Sequence, residues 1–257
     1  MSDAGAGGNL FNRRTALKFA ASGVCAFCAG GAQFARAQSG GVYCAAYGND
    51  SEGTNARDLA LVDETVGQFL TPDMLLLQKF FELKGSLLGS DGLNNAFASL
   101  RPGDNPAVDG KIVFGNVLID RIKNQPFGLL SLAGILAHET SHLYQYGSGD
   151  YSYLLDGCGP HNKPKLLVEL QADYLAGGYM AWRAQWIPGA PDDLSKLFFS
   201  LGDDQLTNPD FHGTRAQRLL AFYDGFKTGK RLIDTGTMDR KRLAASGVLY
   251  VRTACNI

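Results

Sequence analysis

Leu136-Ala137-His138-Glu139-Thr140-Ser141-His142-Leu143-Tyr144-Gln145-Tyr146 lies near the middle of a 257-residue chain, and the other segments are read outward from it. Leu129, Leu130, Leu132, Ile135 and Leu136 lead into it at spacings of one, two and three. Strict alternation of apolar and polar residues would mark a half-buried strand; its absence predicts a well-buried helix. On a helix His138 and His142 stand four residues apart and share one face, so both imidazoles can reach a single ion. Glu139 sits between them, at the step where a metal-dependent hydrolase carries its general base. A zinc site needs three protein ligands and this stretch supplies two, so the third has to come from elsewhere in the chain.

Gly147, Gly149, Gly157, Gly159 and Pro160 break the pattern and predict a loop from 147 to 163. Pro164 then suits the first turn of a helix running to about Trp182. That helix carries Glu169-Leu170-Gln171-Ala172-Asp173, whose two carboxylates are four apart and leave the helix from one face. Two carboxylates among such apolar neighbours are costly to bury unless paired or bound to metal. Glu169 is therefore the candidate third ligand. Asp173 is the candidate acceptor for the ring N–H of a ligand histidine, which would fix its tautomer and raise its basicity. A solvated acidic face is the alternative, and the flanking Tyr174-Leu175-Ala176 argues against it. His161 is the nearest rival ligand, but its Gly/Pro-rich surroundings predict a surface position.

His-Glu-x-x-His at 138–142, followed by Glu-x-x-Ala-Asp at 169–173, resembles the gluzincin class of zinc metallopeptidases. The likeness is nearest to the neutral zinc metallopeptidase group and its CaaX-prenyl-endopeptidase relatives. Two flanking stretches extend it: Asn95-Ala96-Phe97-Ala98 resembles the Asn-Ala-Phe segment ahead of the active helix. His212-Gly213-Thr214, with Gln217-Arg218, resembles the segment after the third-ligand helix. The resemblance covers roughly residues 90–228; the 183–208 region and the C-terminal tail match no part of the family pattern.

The resemblance implies an α+β fold, mostly helical and zincin-like, with a small β-sheet whose edge strand precedes the His-Glu-x-x-His helix. It implies one zinc ion on His138, His142 and Glu169, with Glu139 as the base that activates water against a peptide bond. It also implies His212 as donor to the developing oxyanion; a structural His212 at the start of the helix from Thr214 is the other reading. Asn95 and the backbone of Ala96 would hold the main chain of a peptide or protein substrate. Arg218 is read as a buried organiser that pairs with a carboxylate near the site such as Asp173. Two alternatives to a peptidase are a non-catalytic exported zinc-binding or partner-binding domain and a zinc amidase acting on cell-wall peptides.

Residues 1–37 read as an export signal. Adjacent Arg13 and Arg14 precede a weakly apolar run, Phe19 to Gly31, and Ala35-Arg36-Ala37 forms a small-x-small cleavage signature. The paired arginines resemble the twin-arginine type, which places the mature protein in the periplasm or outside the cell. The run is short and Gly-rich for a bilayer span, so stable membrane insertion is not expected once it is removed. Residues 1–37 hold four basic groups (Arg13, Arg14, Lys18, Arg36) and one acidic group (Asp3), so their loss takes the formal net charge from −1 to −4. No basic stripe remains to bind nucleic acid. Residues 38–257 are enough for one domain with its own core. They keep Cys44, Cys158 and Cys255, of which Cys44 and Cys255 could pair because chain ends often lie close together; separate buried thiols fit equally well.

Between the leader and the central helix, Asn55–Leu70 and Thr71–Leu88 read as two helices, the second capped by Thr71 with Pro72 in its first turn. Lys111 to Ile119 reads as a strand from its β-branched and aromatic content. That strand is either the sheet edge beside the central helix, which would pair with an extended substrate, or an ordinary core strand.

Overall fold

The computed structural model describes residues 55–100, 109–156, 164–185 and 213–254. The leader, Cys44, Cys158, Cys255, His161 and His212 lie outside the described residues. β1 (Arg57–Asp58) and a short α1 (Leu59–Val62) lead into α2 (Glu64–Phe81). Three strands follow: β2 (Gly85–Ser90), β3 (Ala96–Ser99) and β4 (Gly110–Gly115). The remainder is helical: α3 (Asn116–Ile122), α4 (Gly128–Ser148), α5 (Asp150–Asp156), α6 (Pro164–Arg183), α7 (Arg215–Asp234) and α8 (Arg240–Ala254). A mostly helical chain with one small sheet ahead of its long helices is the α+β arrangement expected from the sequence.

Helix α2 departs from that expectation, because no break occurs at Thr71. Asp63 caps its start by accepting from Val66 N–H, and Pro72 lies inside the helix. A mid-helix proline costs about 3 kcal/mol through its missing N–H and its steric clash. Here Gln68, Thr71 and Pro72 are exposed, so the carbonyl that Pro72 leaves without a helical donor faces water. Leu70, Met74, Leu77 and Phe81 are buried on the other side, each worth roughly 1.5–3 kcal/mol. Burial outweighs the proline, and Thr71 bonds back to Gly67 O instead of capping a new helix. The helix ends at Glu82 in the left-handed region (φ 52°), and Gly85–Ser90 is strand. Leu87 and Leu88 therefore belong to the sheet rather than to a helix.

The sheet runs in the order β1-β2-β4-β3, with β2 parallel to β4 and both outer pairs antiparallel. Ile112, Val113 and Phe114 are buried, so β4 is a central strand. The edge that packs against α4 is β3, with Ala96 opposite Phe114 and Ser99 opposite Lys111. Residues 116–119 are not strand. Leu118, Ile119 and Ile122 recur at helical spacing and are buried, so the apolar period overrides the β-propensity of Val117 and Ile119.

Helix α4 is covered on nearly every side by α2, the sheet, α5 and α6. Its buried polar side chains are satisfied locally: Thr140 donates to Leu136 O (2.7 Å) and Ser141 to Ala137 O (2.8 Å). The helix continues through Gly147 and Ser148, and 150–156 is the short α5, so 147–156 is helical apart from Gly149, and the rest of the expected loop lies outside the described residues. No helix among the described residues is long and apolar enough to cross a membrane.

Candidate metal centre

Three long helices meet at His138, and each contributes side chains from one face. Helix α4 brings His138 and His142, and Glu139 follows His138 in the chain, all three buried; α6 brings Glu169 and Asp173; α7 brings Arg218. His138 Nε2 lies 3.1 Å from His142 Nε2 and 3.3 Å from Glu169 Oε2, and His142 Nε2 lies 3.6 Å from Glu169 Oε1. One ligand atom from each of the three falls within 4.8 Å of the others, so the group could hold a metal ion.

The far side of each imidazole is held by an acceptor. His138 Nδ1 is 2.9 Å from Asp173 Oδ1. His142 Nδ1 is 2.8 Å from Gln145 Oε1. Both contacts require Nδ1–H and turn the Nε2 lone pairs inward. Two lone pairs and a carboxylate converge in a buried space, where the Arg218 guanidinium already lies to one side (Nη2 3.4 Å from His138 Nε2), and a metal cation among them would be favoured electrostatically.

Asp173 is held in turn by Arg218, whose Nε and Nη2 each donate to one carboxylate oxygen at 2.8 Å. Burial pushes the Asp173 carboxyl up, but the Arg218 guanidinium and the His138 ring pull it down further, so its pKa ends below the ordinary value. Arg218 Nη2 also lies 3.7 Å from Glu169 Oε2. The guanidinium reaches this depth because the Thr214/Gln217 capping box starts α7 one turn earlier. Gln217, quoted above as part of a family-like segment, has this structural task.

Asn95 and Ala96 sit at the start of the edge strand. Asn95 O accepts from Gly115 N–H (2.8 Å), and its side-chain Oδ1 is buried with no hydrogen-bond partner among the described residues. Three glutamine or carboxylate side chains near the site are not singled out by sequence reading: Gln145, Gln171 and Asp150. Gln145 stands three residues after His142 and so shares its face, a spacing that could have pointed to it.

No family model matches the chain, and comparisons with curated proteins and with solved structures return no match either.

Proposed function

We propose that this chain is an exported zinc metallopeptidase, and the convergence of His138, His142 and Glu169 beside Glu139 carries that reading. Donor atoms on a tetrahedral zinc, each about 2.0–2.2 Å from the ion, stand about 3.3–3.6 Å apart. Here the two imidazole nitrogens are 3.1 Å apart and lie 3.3 and 3.6 Å from the two oxygens of Glu169, which is near that spacing. Two imidazoles and one carboxylate form the ligand set of zinc hydrolases that keep a fourth position open. A zinc ion held there would act as a Lewis acid on an amide carbonyl and lower the pKa of a water.

The chain's own groups divide the remaining work. The Glu139 carboxylate takes the proton of the attacking water and delivers it to the departing amide nitrogen. Asp173 holds His138 in the Nδ1–H form, and Arg218 keeps Asp173 ionised and in place. The outer edge of β3, where Asn95 and Ala96 lie, offers main-chain groups to an extended substrate. His212 is the proposed oxyanion donor. Export rests on the 1–37 pattern.

Glu139→Gln tests the reading. The variant should keep its zinc and lose about 10²–10⁴-fold in hydrolysis of an unfolded protein substrate, the contribution of a positioned base. Turnover close to the wild type would refute the assignment. Hydrolysis of peptidoglycan fragments but not of protein would favour the amidase.

A further inference from the structure

The two histidines are oriented by different devices. His138 faces a carboxylate, which can only accept. His142 faces a neutral amide, which offers an acceptor at one end and donors at the other. The ends have opposite consequences. An oxygen at His142 Nδ1 requires Nδ1–H and leaves the Nε2 lone pair for a metal. An NH2 group there would require an Nδ1 lone pair and put the proton on Nε2, pointing at His138 and Glu169.

The amide is held by a line of hydrogen bonds through three helices. Gln145 Nε2 donates to Val168 O at 2.9 Å and to Gln171 Oε1 at 2.8 Å. Gln171 can present its oxygen to Gln145 because its own NH2 group is committed to Asp150 Oδ2 at 2.8 Å. Gln145 and Gln171 are fully buried, so water does not compete for either amide. The one charged group in the line is Asp150, the partly exposed first residue of α5. Its carboxylate only accepts, and so do the backbone carbonyls Val168 O and Ala244 O (3.5 Å from Gln171 Nε2), so acceptors at both glutamines set the polarity of the line.

We infer that Gln145, oriented by Val168 O and by the Gln171–Asp150 pair, determines which nitrogen of His142 carries the proton and so keeps Nε2 available as a ligand. This rests on the reading of His142 as a metal ligand. It makes Asp150, Gln171 and Gln145 positioning residues that touch neither metal nor substrate.

The test uses long-range 1H–15N spectra of the imidazoles in metal-free full-length protein, with zinc affinity measured by competition against a chromophoric chelator. Wild-type His142 should be in the Nδ1–H form. Gln145→Leu removes the acceptor, so the ring should shift toward Nε2–H and zinc affinity should fall about 10–100-fold. The His138 signals should stay in place. Asp150→Asn keeps the size of the side chain at a partly exposed position and so folds even where Gln145→Leu does not. An asparagine can still accept through its Oδ1 and Val168 O still holds the Gln145 amide, so this variant should keep His142 in the Nδ1–H form. A wild-type His142 protonated on Nε2, or a folded Gln145→Leu protein with unchanged His142 signals and zinc affinity, overturns the inference. The tautomer is read with neither metal nor substrate present, so a wild type that binds no zinc or cuts no peptide would refute the functional reading separately.

Discussion

At the scale of single residues, Asp173 has the most to lose. It is fully buried, accepts from His138 and from two nitrogens of Arg218, and sits 0 % exposed beside an Arg218 that is 1 % exposed. Removing one partner of a buried ion pair leaves the other charge uncompensated, which costs about 3–5 kcal/mol. Asp173→Asn should therefore lower the free energy of unfolding in urea by about that much, while an unchanged midpoint would show that Arg218 is balanced by other groups. The folded pKa of Asp173 is depressed, so its contribution is fully present above the unfolded carboxyl's pKa. It is lost as pH falls through the folded value, and the asparagine variant should lack this part of the acid sensitivity. His138, His142, Glu169 and Asp173 are legible in the sequence because a four-residue step on a helix converts directly into a shared face. Gln171 and Asp150 are not, because their link to His142 crosses from α4 to α6 to α5, and no local spacing encodes it.

Among the elements, the pair α6 and α7 decides whether Arg218 can reach Asp173. Their backbones approach so closely that a Cβ at Gly225 would lie 1.9 Å from Tyr174 O, and one at Gly177 would lie 2.0 Å from Phe222 O. Glycine within a helix costs about 1 kcal/mol relative to alanine, so a free helix would gain from Gly225→Ala. Against backbone at this distance the helices must separate, and overpacking of this kind costs about 1–3 kcal/mol or more. Gly225→Ala should thus shift the urea midpoint downward despite the better propensity; an upward shift would mean that α6 and α7 are not in this contact. The long helices α4 and α6 are visible in the apolar pattern. The path of α2 through Pro72 is hidden, because only the tertiary arrangement shows Thr71 and Pro72 facing water while Leu70 and Met74 face the core. The helix at Asn116–Ile122 is hidden for the converse reason: Val117 and Ile119 favour strand locally, and burial of Leu118 and Ile122 decides otherwise.

Across the molecule, the candidate site is held from the outside as well as from within. Asp73 on α2 receives Arg183 Nε at 2.5 Å, Arg183 Nη2 at 2.9 Å and the Tyr179 hydroxyl at 2.8 Å, all buried. Burial and the nearby Asp73 carboxylate push the Tyr179 pKa up, so its hydroxyl stays protonated and donates. This network ties α2 to the end of α6, the helix that carries Glu169 and Asp173. A metal shared by α4 and α6 would close the same circuit from inside, because His138 and His142 belong to one helix and Glu169 to the other. The most direct measurement is zinc per chain after exhaustive dialysis at neutral pH, for the wild type and for Glu169→Ala. One zinc in the wild type and none in the variant is the predicted result; a wild type without zinc, or a variant that keeps it, contradicts the account.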